Sequence, residues 1–168
     1  MEKKRIVAYV LVALVVVVVL IQFIPGGAMT NPPVTGEIQA PPAVMQIMKT
    51  SCYDCHSNET VWPWYSHVAP ASWLVRHDVN EGRSHLNFST WDSASQRRQA
   101  RRLRFGIPHV MDEHEMPLWY YTIIHRHAVL SDSQRQTLRQ WATEQSNQYP
   151  DSLFRRRPEE RQAGDEQR

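Results

Sequence analysis

Both cysteines of this 168-residue chain lie in one stretch, Ser51-Cys52-Tyr53-Asp54-Cys55-His56-Ser57, with a histidine directly after the second. This spacing constrains the fold more than any other feature. Residues three and four apart share one face of a helical turn, so Cys52, Cys55 and His56 can all address one flat cofactor. Cys-x-x-Cys-His is the attachment motif of a c-type haem: each thiol adds to a vinyl group as a thioether, and the histidine becomes the proximal iron ligand. Three other chemistries use part of the same pattern. A dithiol redox pair should follow a strand in a βαβ unit, and no such pattern surrounds it. A structural zinc site needs four ligands; another of the eight histidines could complete it, but no second ligand pair has zinc-finger spacing. A disulfide suits an oxidising compartment. One covalent haem c, with its iron, is the expected cofactor.

A second feature sets the compartment. Glu2-Lys3-Lys4-Arg5 is a basic head, and Ile6 to Ile24 is then apolar except for Tyr9 and Gln22. At helical rise such a run spans about 28 Å, close to the thickness of a bilayer core. The basic flank is expected in the cytoplasm and the rest outside. A cleaved signal has a shorter apolar region and a small-residue cleavage site; Gly26-Gly27-Ala28 offers one, but the length favours an uncleaved anchor. The expected location is a bacterial inner membrane, crossed once, with the C-terminal part in the periplasm or outside. Haem attachment belongs to the same side. The net charge of +2 gives no ground for a nucleic-acid partner, and none is expected.

Residues 1–24 thus read as head and anchor, and 25–42 as a Pro/Gly linker without period. Residues 43–149 read as the haem-binding domain, and 150–168 as a charged tail too poor in apolar groups to order itself. Within the domain, Pro42 suits the first turn of a helix over 43–51, with Val44, Ile47 and Met48 at helical spacing. Trp62, Trp64 and Tyr65, in an irregular loop with two prolines, are candidates to cover the haem edge. A second helix is expected from Ala71 to Glu81, with Trp73, Leu74 and Val75 inward and Gly82 as its stop. A third, capped by Asp92 or Ser93, should run to about Phe105 and end at Gly106 and Pro108. It carries Arg97, Arg98, Arg101, Arg102 and Arg104, with no acidic residue from Ser93 to Val110. That is a solvated face, a partner for haem propionates, or a steering patch for an acidic redox partner. Ser131 and Gln134 form a capping box for a last helix to about Gln145, with Leu138 and Trp141 inward.

The far side of the iron is the open question. Met116 precedes Pro117, which stiffens the backbone around it, and a thioether is a soft ligand that raises the reduction potential relative to a second histidine. Met116 is therefore a candidate distal ligand. Met111, His109, His114, His125 and His127 are the alternatives.

Beyond the haem motif, the chain carries Ser57-Asn58-Glu59-Thr60, Trp62-Pro63-Trp64-Tyr65, Val68-Ala69-Pro70-Ala71-Ser72-Trp73 and Gly82-Arg83. Further on come Leu86-Asn87-Phe88-Ser89, Trp91, Met116-Pro117, Tyr121, His125, Ala128, Leu130-Ser131, Leu138 and Trp141. Through these residues it resembles the small bacterial haem-binding domain family, single-haem c-type proteins similar to small cytochromes c. The resemblance runs from about Val44 to Trp141. It implies an all-α, cytochrome c-like domain wrapped on a covalent haem ligated by His56, with Met116 opposite. Together with the N-terminal transmembrane helix, this makes single-electron transfer with a redox partner protein the expected task, and no enzyme activity is expected. A haem-based redox or gas sensor with an open or weakly held sixth position is the alternative. A small peroxidase, with His109 or His114 as distal acid/base, is a third.

Overall fold

The structure, a computed structural model, describes residues 2–155. All regular structure among them is helical; the one β-type contact is an isolated parallel bridge between Gly36 and Thr90. This is the all-α class the sequence implied. Helix α1 (Glu2–Ile21) has no buried residue. Valine and leucine point outward on every side of it, and an all-round apolar helix with no protein cover needs another apolar environment. It is long and apolar enough to cross a membrane.

The remaining chain packs into two compact units. The residues up to Val34 group with Tyr53–Ser89, and Thr35–Cys52 with the residues from Thr90 on. The divisions therefore fall after Val34 within the Pro/Gly segment, after Cys52 within the haem motif, and after Ser89. The physical reason lies in that segment. Proline-rich chain has few N–H donors of its own, and its carbonyls need partners. In the first unit Arg83 donates to the Thr30 carbonyl at 2.7 Å and to Asn31 Oδ1 at 2.9 Å, and Asn58 donates to the Pro33 carbonyl at 2.9 Å. In the second unit Ile38 is 3% exposed, and Asp92 N–H donates to the Gly36 carbonyl at 3.3 Å. The segment expected to be a linker has no helix of its own, yet it is fastened along its length.

In the first unit, α3 (Tyr53–His56) packs on α4 (Ala71–His85), and a 3-10 turn at Trp64–His67 lies against α4. Gly82 does not stop α4, contrary to expectation: the helix continues to His85. The glycine serves a close approach instead. A Cβ there would stand 2.6 Å from the Cys55 carbonyl oxygen. Ser72 and Val79, rather than Leu74, are the buried positions of α4.

In the second unit, α2 (Pro42–Ser51) starts with its proline in the first turn and buries Val44 and Met48. Ser95, not Asp92 or Ser93, caps α5 (Gln96–Arg101) by accepting from Arg98 N–H. The chain then passes through a π turn at Arg102–Gly106 into α6 (Ile107–Asp112). The expected stop at Gly106 and Pro108 is absent for this reason. Ile107 N–H bonds the Arg102 carbonyl, five residues back. The wider turn relieves the clash that a proline ring makes with the carbonyl four residues before it, and Pro108 sits in the first turn of α6. Helix α7 (Trp119–Ile124) follows, and α8 (Asp132–Ser146) is opened by the expected Ser131/Gln134 capping box. Leu138 and Trp141, 2% and 5% exposed, face inward as expected, and burying a leucine this fully contributes about 1.5–3 kcal/mol. The start of the expected tail is placed rather than disordered. Tyr149, just before it, donates to Gln99 at 2.9 Å, and Phe154 meets Phe105 edge-on, which gives this charged stretch an apolar anchor. The rest of that tail, 156–168, lies outside the described residues.

Candidate haem site

Helix α2 ends at Ser51, and Cys52 follows it with φ −125° and ψ −34°. Tyr53–His56 then form one short turn. The motif thus begins at a break between two helices instead of on a continuous one. Tyr53, 4% exposed, anchors the turn and stacks on Phe88 with ring centroids 5.4 Å apart. Phe88 N–H in turn donates to the His56 carbonyl at 2.8 Å. Ser57 and Asn58, both buried, hold the exit: Ser57 Oγ donates to the Tyr53 carbonyl at 2.8 Å and Asn58 N–H to Ser89 Oγ at 2.9 Å.

His56 is the most informative side chain. Its Nδ1 lies 3.0 Å from the Gly82 carbonyl and 2.9 Å from the Leu86 carbonyl, at the last turn of α4. A carbonyl can only accept, so Nδ1 carries the proton, and in the neutral imidazole the lone pair is on Nε2. This is the tautomer a metal-ligating imidazole requires, with the other nitrogen held by a backbone acceptor. Gly82 is thus used twice: its missing Cβ admits the Cys55 backbone, and its carbonyl orients the imidazole. Arg83, the next residue, donates through Nε to the Ser57 carbonyl at 2.7 Å and through Nη2 to Thr60 Oγ1 at 2.9 Å, fixing the loop after the motif. Burial, then the Asp54 and Asp78 carboxylates, push the Cys55 thiol up to about 12, against a smaller opposing pull from Arg83. A thiol held there is neutral at pH 7. Burial, then the Asp54 carboxylate, raises the Tyr65 hydroxyl above its ordinary value.

The other candidates divide between the units. Trp62 is half-buried, and Trp64 is 77% exposed with its ring edge-on to Tyr65 at 5.8 Å. Met116 belongs to the second unit, where it is half-buried and its carbonyl accepts from Arg135 Nη1 at 2.7 Å. Its alternatives there have other engagements. Met111 is 5% exposed, within the core on α6. His109 faces Glu115 at 4.0 Å and His114 faces Asp132 at 3.8 Å, both exposed. His125 stacks on Tyr121 at 4.3 Å, and His127 meets His125 edge-on. Trp141 Nε1–H, also in this unit, is buried with no acceptor among the described residues. Such donors are nearly always satisfied, and a bound group with acceptor oxygens would do so. No group of three or more His, Cys, Asp and Glu side chains is gathered as a metal site among the described residues, so a zinc-type cluster finds no support. The Gly82 and Leu86 carbonyls, Arg83 and Arg135 were not singled out as site residues from the sequence. A glycine inside a helical pattern was the available signal for the first; backbone acceptors leave none.

A family model described as a haem-binding domain matches residues 16–144. The chain belongs to that family, and it is a haem-binding protein. No curated protein and no solved structure matches it.

The donor set fits the group. His56 is in the ligating tautomer, Cys55 is a neutral sulfur next to it, and the glycine that lets both approach α4 is in place.

Proposed function

We propose that this chain is a membrane-anchored, exported monohaem c-type cytochrome that carries single electrons. The observation that carries the reading is the pair of carbonyl contacts to His56 Nδ1, 3.0 and 2.9 Å, on the histidine of a Cys-x-x-Cys-His motif. Bound haem supplies a one-electron iron couple. His56 Nε2 is the proximal ligand, and its basicity is raised by the hydrogen bonds at Nδ1. Cys52 and Cys55 hold the group covalently. Met116 would be the second iron ligand, favoured by its soft sulfur and by the commitments of Met111 and the nearby histidines. A closed six-coordinate iron leaves no position for a substrate, so no enzyme activity is part of this reading. Helix α1 crosses the membrane with Lys3, Lys4 and Arg5 on the cytoplasmic side, and the haem domain is outside, where a redox partner protein meets it.

The test is direct. Haem should stay on the chain in a denaturing gel and be lost when Cys52 and Cys55 are replaced by serine. The oxidised protein should show the weak far-red charge-transfer band of His/Met ligation. Rapid carbon monoxide binding by the reduced protein, with no such band, would mark an open sixth position and replace electron transfer by the sensor reading.

A further inference from the structure

Helix α1 and the start of α4 belong to the same unit, and they are joined over a short stretch of chain. Gln22, the residue after α1, bonds both backbone groups of Ala69: Nε2 donates to the carbonyl at 3.2 Å, and the Ala69 N–H donates to Oε1 at 2.9 Å. Trp73 Nε1 donates to the Ile24 carbonyl at 3.2 Å, and Arg76 Nη1 to the Gly27 carbonyl at 2.8 Å. The Trp73 indole lies so close over Gly26 that a Cβ there would collide with it. Four consecutive ties therefore hold the first turns of α4 to the chain as it leaves α1. At 20 residues, α1 is about 30 Å long, the thickness of a bilayer core. Gln22 then lies at the level of the lipid headgroups, and Ala69 with it.

The same unit carries apolar residues that are uncovered. Trp64 is 77% exposed, Val68 43% and Leu74 48%, and Phe23 is 79% exposed on the connecting chain. From Thr60 to His77 there is no aspartate or glutamate. Tryptophan is enriched at the membrane–water boundary because its ring is apolar and its N–H is not.

We propose that Trp64, Val68 and Leu74 form a membrane-docking surface, resting on the outer leaflet of the bilayer that α1 crosses. The proposal builds on the anchored reading of the preceding section. The unit is held against the lipid in one orientation instead of swinging on a tether, and Gln22, with Trp73 and Arg76, sets that orientation.

The test uses full-length haem-loaded protein in phosphatidylcholine vesicles. In that form Cys52 and Cys55 are taken up as thioethers, so an introduced cysteine takes a nitroxide label alone. Labels at Trp64→Cys and Val68→Cys are compared with Val12→Cys inside α1 and Ser84→Cys near the end of α4, by relative accessibility to oxygen and to a water-soluble nickel chelate. Docking predicts a several-fold higher oxygen preference at 64 and 68 than at 84, below that at 12. If 64 and 68 match 84 while 12 reads hydrocarbon, the chain is anchored but not docked, and the proposal is overturned. If 12 also reads aqueous, anchoring is overturned and docking with it. In a Gln22→Leu background, with α1 still inserted, the oxygen preference at 64 should fall towards that at 84. An unchanged value would remove Gln22 from the proposal.

Discussion

The two candidate ligand residues are supported in different ways. His56 is held by atoms that no single side-chain replacement removes: two backbone carbonyls at the end of α4, with Phe88 N–H on its own carbonyl. Met116 sits in a loop whose backbone is tied by one side chain, Arg135, at 2.7 Å. The difference teaches where tolerance to change should lie. Backbone acceptors make the proximal side insensitive to the identity of its neighbours, except where a Cβ would intrude. At Met116 the backbone is tied by a replaceable side chain, Arg135, and the strength of the proposed ligand would be correspondingly adjustable.

The largest effect breaks the comparison altogether. Replacing Cys52 and Cys55 together by alanine should abolish haem retention on a denaturing gel, while a Met116 variant retains its haem in full. Haem-stained gels of the two side by side decide it, and loss of retention in Met116→Ala would mean that the two sides are not separable. Next in size, Met116→Ala should remove the far-red charge-transfer band of the oxidised protein and lower the reduction potential, because a thioether favours the reduced iron. Spectropotentiometry reads both. A band that survives the substitution would move the ligand to Met111 instead.

The contrast between the sides also explains what could be read from the residues alone. The apolar helix and the Ser131/Gln134 capping box depend on local spacing, and each is found where spacing put it; the motif departs from it, with Cys52 at a break before the turn that carries Cys55 and His56. Gly82 and Pro108 were misjudged as helix stops because their meaning is set by other segments and by helix type. Gly82 continues α4 and admits Cys55; Pro108 is tolerated because the preceding turn is a π turn. Leu74 has the periodicity of a buried residue but is 48% exposed, since periodicity records an apolar face and not what covers it. The carbonyls that orient His56 have no side-chain identity at all, so no residue pattern could have named them.

Gly82→Ala sharpens the proximal half of the comparison through its sign. In an exposed helix interior this change stabilises by about 1 kcal/mol, because alanine is the better helix former. Here the new Cβ would meet the Cys55 carbonyl oxygen at 2.6 Å, and overpacking of this kind costs about 1–3 kcal/mol. The expected outcome is a lower melting temperature of the holoprotein and less haem incorporated during maturation. A rise in melting temperature would show that α3 is not packed on α4 as closely as the His56 geometry requires.

The smallest effect concerns Arg135. Replacing it by alanine removes the one hydrogen bond to the Met116 carbonyl, and a bond from a charged donor at a half-buried site contributes about 1–2 kcal/mol. With Met116 on the iron as proposed, the thioether would have to leave before an external ligand could enter, so a looser loop would raise the open fraction. Imidazole or cyanide should then bind the oxidised protein roughly ten times faster, with the charge-transfer band weakened but present. Arg135→Lys should fall between, since an ammonium keeps the charge but lacks the rigid fork. Arg83→Ala, on the His56 side, removes four donated bonds from one residue. It should lower stability yet leave the rate of ligand entry unchanged, because the His56 imidazole is held by carbonyls and not by Arg83. Equal acceleration in the Arg83 and Arg135 variants would mean that entry is governed by loosening of the whole domain, and the asymmetry between the two sides would be gone.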